Sequence, residues 1–160
     1  MLNTTELEKI CKEILPSTFD GVFPINELPI TYKSTYNIIF NTDPNNLSGK
    51  HWIAVSVRKN KHGYVFDSFG YPPPVKVQTW LNARGIKWDF NHRQVQADDS
   101  FLCGHYCIYF LYFTMNPYYR NQHFETVMTD IFPKHMYFYN YDALVRDFTR
   151  NVFPKPFNVL

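Results

Sequence analysis

The sequence predicts an α+β fold, and three features lead there. Two short, largely apolar strands at 51–57 and 64–67 are joined by hairpin chemistry. A helix that is apolar on nearly every side follows at 103–115. An amphipathic helix opens the chain. With 160 residues, 45% of them apolar, one domain over residues 1–160 is expected. A chain of that size buries about two-thirds of the surface it exposes when unfolded.

The first helix reads from Thr5, where Thr5 to Glu8 fits a capping box. Leu7, Ile10, Cys11, Ile14 and Leu15 then form one apolar stripe, and Pro16 stops it. Cys11 on that stripe is a small core residue. Residues 16–35 carry Pro16, Pro24 and Pro29 and read as an irregular connection. Asn37 to Asn41 is a short strand, and Asp43-Pro44-Asn45-Asn46 is turn chemistry. In the strand 51–57, Ile53, Val55 and Val57 share one face and Trp52 and Ala54 the other. Both faces are apolar, so the strand is central. Lys59 to Gly63 makes the hairpin, and Tyr64 to Asp67 returns antiparallel.

Val75 to Asn82 reads as a helix with Gly85 as its stop. Ile86, Trp88 and Phe90 alternate as a strand. Asp98-Asp99-Ser100 offers caps for the next helix, and with Ser100 as cap Cys103 falls in its first turn. The apolar surround of that helix predicts burial. Phe124 to Phe132 is helical in pattern. Asn140 can cap a last helix with Leu144, Val145, Phe148 and Val152 on one side. No repeat or internal boundary is visible.

Aromatic content is high at 19%, which predicts a core of large flat side chains, with an aromatic substrate groove as the alternative. A net charge of +2 does not announce nucleic-acid binding. The cluster Arg58, Lys59, Lys61 and His62 reads as a solvated hairpin tip, with phosphate contact as the sharper alternative. Arg146, Arg150 and Lys155 form a second cluster. Three cysteines are too few, and odd in number, for a secreted disulfide scaffold. No signal peptide and no membrane span are expected, and the setting is a reducing, intracellular one.

The chemistry rests on four residues. A thiol attacks a carbonyl as thiolate. A helix N-terminus and a neighbouring imidazolium both favour that form, and a carboxylate orients the imidazole. Cys103, His51 and Asp67 have those types, and Gln96, seven residues before Cys103, is a candidate oxyanion donor beside the Cys103 backbone N–H. Each alone has an ordinary structural reading: a core Cys, a half-exposed His, a turn Asp. Cys107 lies one turn beyond Cys103, with Cβ atoms about 5–6 Å apart, too far for a disulfide without unwinding. Cys103-x-His105-x-Cys107 imitates a metal set, but on a helix His105 points away from both cysteines, so no metal is expected and Cys107 is core.

The joint pattern resembles the adenovirus protease (adenain) family. It consists of Ser48-Gly49-Lys50-His51-Trp52 opening an apolar strand, Phe66-Asp67-Ser68-Phe69-Gly70 after it, then Val95-Gln96, and Cys103-Gly104 before an apolar helix. The resemblance spans roughly residues 1–115 and is strongest over 47–113. It implies a mixed central sheet, a buried helix carrying the nucleophile, and helices on the flanks. It implies catalysis by His51, Asp67 and Cys103 with Gln96 in the oxyanion hole. It further implies cleavage of viral capsid and core precursor proteins at Gly-containing sites, in the virion and the host-cell interior (nucleus or cytoplasmic virus factory). Such proteases also occur in virophages, large DNA viruses and Polinton-like elements, and the short length favours one of these. The acid here is Asp67 where adenovirus enzymes carry Glu. No Cys lies between residues 83 and 100, where the family's activating peptide is anchored by a disulfide. The chemistry requires no cofactor. A peptide or DNA activator and a weak DNA contact are family properties that this sequence does not independently support. A monomer without membrane contact is expected.

Proteases of SUMO and ubiquitin-like proteins in the same clan are the rival reading. There the Gln lies six residues before the Cys and Asp precedes it directly. Here the step is seven and Leu102 precedes Cys103. A non-catalytic capsid-associated module is the third reading, and retention of all four residues argues against it.

Overall fold

The apolar alternation along 52–57 sets the architecture. The structure, a computed structural model, describes residues 1–30, 33–43 and 51–160. In chain order the elements are α1 (Thr4–Ile14), β1 (Phe19–Pro24), β2 (Tyr36–Asn41), β3 (Trp52–Val57), β4 (His62–Phe66), α2 (Val75–Asn82), β5 (Lys87–Phe90), α3 (Cys103–Thr114), α4 (Phe124–Ile131) and α5 (Phe138–Val152). The five strands form one sheet in the order β1-β2-β3-β4-β5. The outer pairs β1–β2 and β4–β5 are parallel, and β2–β3 and β3–β4 are antiparallel. The fold is α+β with a mixed sheet, and β3 is central with every residue buried.

The two faces of β3 feed two cores. Trp52 and Ala54, with Ile39 and Phe66, pack under α1, α3, α4 and α5. Ile53, Val55 and Val57, with Ile38, Phe40 and Val65, pack under α2. The sheet is therefore flanked on both sides, and α3 is buried except at Tyr112 and Phe113. Aromatic rings fill the first core. Phe66 stacks nearly parallel to Phe110 at 4.7 Å and Phe132 at 5.6 Å. Tyr64 stacks on Phe124 at 4.7 Å.

Several local expectations shift. The cap of α1 is Asn3, not Thr5: its side chain accepts the Glu6 N–H at 3.0 Å while the Glu6 carboxylate accepts the Asn3 N–H at 2.9 Å. The stretch 16–35 contains β1 and a 3₁₀ turn at Ile25–Glu27. As an edge strand β1 buries only Val22, so no alternation shows, and its terminal Pro24 is tolerated there. Neither Ser100 nor Asn140 caps a helix. The Ser100 N–H closes a turn onto the Ala97 carbonyl at 3.0 Å, and α3 starts at Cys103 after Leu102. The last helix starts at Phe138 with no side-chain cap.

Arg58 does not belong to a solvated tip. It is 9% exposed, and its Nη1 donates to the carbonyls of Arg120 and Gln122 at 2.8 and 2.9 Å. Its guanidinium lies 4.5 Å from the Tyr64 ring centroid, so it ties the chain after α3 to the sheet. Lys59, Lys61 and His62 are exposed. The turn residues Pro44-Asn45-Asn46 and the stretch Ser48-Gly49-Lys50 lie outside the described residues. No described helix is long and apolar enough to cross a membrane.

Candidate active site

His51 immediately precedes β3 and Asp67 immediately follows β4. The strands are antiparallel with Ala54 opposite Phe66, so the two side chains meet at one end of the sheet. His51 Nε2 lies 2.7 Å from Asp67 Oδ1. Phe69 covers the imidazole at a centroid distance of 5.0 Å. Asp67 Oδ1 also accepts the Phe69 N–H at 2.8 Å. Asn91 clamps the backbone of the acid from both sides: its Oδ1 accepts the Asp67 N–H at 3.0 Å, and its Nδ2 donates to the Asp67 carbonyl. Gly70, at φ +76, is indispensable to this loop, because a Cβ there would lie 2.7 Å from the backbone of Arg93 and Gln94.

Cys103 is the first residue of α3 and is buried. The next residue explains how it reaches the sheet. A Cβ on Gly104 would stand 3.2 Å from Leu7 and 3.3 Å from Trp52, so the bare glycine lets the first turn of α3 press against α1 and β3. Trp52 holds that corner by donating its indole N–H to the Leu2 carbonyl at 2.9 Å. The unpaired N–H groups and the dipole at the head of α3 favour negative charge on the sulfur.

Burial alone would lower the His51 pKa. Its hydrogen bonds to Asp67 and Cys103, with the negative charge of both, outweigh burial and raise it to about 9. With Nε2 committed to Asp67, Nδ1 is the nitrogen left to face the sulfur. Burial pushes the Cys11 and Cys107 thiols up, keeping both protonated.

Gln96 joins this network through Ser68. Its Oε1 accepts the Ser68 hydroxyl at 2.6 Å, and its Nε2 donates to the Ser100 carbonyl at 2.8 Å. The Ser68 carbonyl accepts the N–H groups of Val95 and Gln96 at 2.8 and 3.0 Å. The amide is thereby fixed in orientation, with one N–H of Nε2 uncommitted. The same loop is held from the C-terminal side. Arg93 donates to Tyr141 Oη at 2.7 Å and the Phe132 carbonyl at 2.6 Å. The Tyr106 hydroxyl bonds the Val95 carbonyl at 3.1 Å and also Asp142.

The structure thus brings His51, Asp67 and Cys103 into one network and attaches Gln96 to it. Sequence reasoning missed Asn91, Ser68 and Arg93. Only Ser68 carried a signal, its place inside Phe66-Asp67-Ser68-Phe69-Gly70. Among the described residues no group of three or more His, Cys, Asp or Glu is placed to hold a metal ion. His105 instead stacks on Phe153 at 5.6 Å.

No protein-family model and no curated protein matches the sequence. Solved structures do. The chain aligns with the crystal structure of the ASFV pS273R protease at a TM-score of 0.62 and 17% identity, covering 96% of this chain and 67% of that one. The Se-Met ASFV pS273R protease aligns at a TM-score of 0.51 and 19% identity, covering 76% of this chain and 44% of that one. At such identities the likeness is one of fold: the chain has the fold of that protease and spans about two-thirds of its length or less.

Proposed function

We propose that the protein is a cysteine endopeptidase of viral maturation, acting on capsid and core precursor proteins at Gly-containing sites. One observation carries the reading. The imidazole of His51, held by Asp67 at 2.7 Å, also contacts the sulfur of Cys103 at the head of a buried helix. An imidazolium and a helix N-terminus beside a sulfur favour its thiolate form.

The Cys103 thiolate attacks the scissile carbonyl carbon. The carbonyl oxygen takes the negative charge and is met by backbone N–H groups at the start of α3 and by the uncommitted N–H of Gln96. His51 gives its proton to the departing amine as the C–N bond breaks, leaving a thioester on Cys103. Water then attacks the thioester while His51 accepts its proton, and the thiolate and the imidazolium return. Asp67 holds the ring in one orientation throughout. The steps use only groups of this chain and water. Burial of Cys103, which is 2% exposed, supports a slim substrate backbone at the cut, as glycine provides. The fold shared with a viral protease supports the viral setting, a virion or an infected cell.

The test is incubation of the purified protein with candidate capsid and core precursors, and in parallel with ubiquitin and SUMO fusions. Cut sites are mapped by mass spectrometry. Cleavage of precursors at Gly-containing bonds, abolished in Cys103→Ala with an unchanged circular dichroism spectrum, is expected. Preferential cleavage of the fusions would replace this reading with a SUMO- or ubiquitin-like isopeptidase. Cleavage by Cys103→Ala near the wild-type rate would remove Cys103 as nucleophile.

A further inference from the structure

We propose that the cleft at the C-terminal end of α3 binds a single oxyanion group, a phosphate or a carboxylate. The cleft has a volume of about 430 Å3 and is lined by residues including Asn37, Arg58, Lys59, Thr114, Arg120 and Asn121. Arg58, Lys59 and Arg120 bring positive charge, and the amides and hydroxyl bring neutral donors. No acidic residue is among the described residues lining it. Asp20 on the neighbouring strand is engaged by Lys33 Nζ at 2.5 Å and the Asn37 N–H at 3.0 Å.

Two buried polar atoms at the cleft lack partners. They are Arg58 Nη2 and Thr114 Oγ1, on residues 9% and 4% exposed. Arg58 cannot swing out to water, because its Nη1 is committed to two carbonyls and its plane rests on Tyr64. Asn37 Oδ1 accepts the Ser56 hydroxyl at 2.6 Å, which leaves its Nδ2 as a donor. Burial also works against the charge on Arg58, as expected for a cation short of a counter-anion. The half-charge at the end of α3 opposes an anion. Its carbonyls at Leu111 and Phe113 are already bonded, by the N–H groups of Met115 and Asn116. Guanidinium, ammonium, amide and hydroxyl donors lining one cleft without a carboxylate match the acceptor-only chemistry of an oxyanion.

The cleft is remote from the catalytic residues. Cys103 begins α3 and Thr114 ends it, a helix of 12 residues, which separates the two places by about 16 Å at ~1.5 Å per residue. The inference therefore does not depend on the peptidase reading.

Amide NMR on the full chain tests it, with titrations of inorganic phosphate and of glutarate at constant ionic strength and chloride as control. Saturable shifts at Asn37, Lys59 and Thr114, with little change at His51 and Cys103, are expected for at least one of them, and the one that binds identifies the source. Lys59→Glu should weaken binding about tenfold or more, the scale of one charge-assisted hydrogen bond. Thr114→Val should weaken it less. Should Thr114→Val fail to fold, the exposed Lys59 still decides. No saturable shift with either anion, or affinity unchanged in Lys59→Glu, overturns the proposal.

Discussion

The first and last turns of α3 differ in one respect above all. At the first turn the groups around Cys103 are tied to one another, although His105 Nδ1 and Ser100 Oγ nearby are not. Cys103 faces His51, His51 is held by Asp67, Asp67 is clamped by Asn91, and Gln96 is fixed between Ser68 and Ser100. At the last turn Thr114 Oγ1 and the neighbouring Arg58 Nη2 are left without partners. Paired groups hold reactive atoms in place before substrate arrives, and that preorganisation gives oxyanion donors and bases their effect. Unpaired buried donors stabilise nothing until a ligand supplies the acceptor. One helix has a hydrogen-bonded cluster around Cys103 at one end and unpartnered Thr114 Oγ1 and Arg58 Nη2 at the other.

Breaking the paired end should show graded losses. Asp67→Asn is the largest change short of removing the nucleophile. It takes away the acceptor that sets the imidazole tautomer, an effect of up to about 10⁴-fold in kcat in such triads. The same variant carries a pH signature. His51 holds its proton up to about 9, with Asp67 the strongest of the interactions that raise it. The protonated ring serves the leaving amine, so wild-type activity should fall on the alkaline side with an apparent pKa near 9. In Asp67→Asn that limb should move toward neutrality, and an unmoved limb would show that Asp67 does not set it.

Gln96→Ala should cost about 10²–10³ in kcat with KM little changed, the loss typical of one oxyanion donor. Ser68→Ala removes one of the two bonds that orient the Gln96 amide and should cost about tenfold, one hydrogen bond's worth. Combining the two should add little to Gln96→Ala alone, because Ser68 acts through Gln96. Full additivity in that double-mutant cycle would separate their roles.

How much of this was legible depends on what each residue does. The alternation of β3 and the bounds of α2 follow from apolar spacing, and both appear where the sequence places them. Strand β1 was invisible because an edge strand that buries one side chain has no period to read. The candidate residue types were legible because thiol, imidazole and carboxylate chemistry admits few substitutes. Their supports were not. Asn91 in a loop looks like turn chemistry until its amide is seen on both backbone groups of Asp67. The role of residues 116–160 was equally hidden, because Arg93 reaches Tyr141 and the Phe132 carbonyl only after folding.

The smallest expected effect falls on stability rather than catalysis. His105 is buried against Phe153 with its Nδ1 unpartnered, and burial holds its pKa down to about 4. The unfolded chain takes up that proton near 6.5, so stability is complete above that pH and falls as pH drops from 6.5 toward 4. In His105→Phe the decline of Tm over that window should flatten while activity at neutral pH stays the same. An identical decline would place the acid sensitivity elsewhere.

The proposed mechanism requires Cys103 to be the most reactive of the three cysteines. Alkylation by iodoacetamide at pH 7, followed peptide by peptide in the mass spectrometer, tests it most directly. Cys103 should be modified at least about 100-fold faster than Cys11 or Cys107, which burial keeps protonated, and His51→Ala should remove most of that advantage. Equal, slow labelling of all three cysteines would contradict the account.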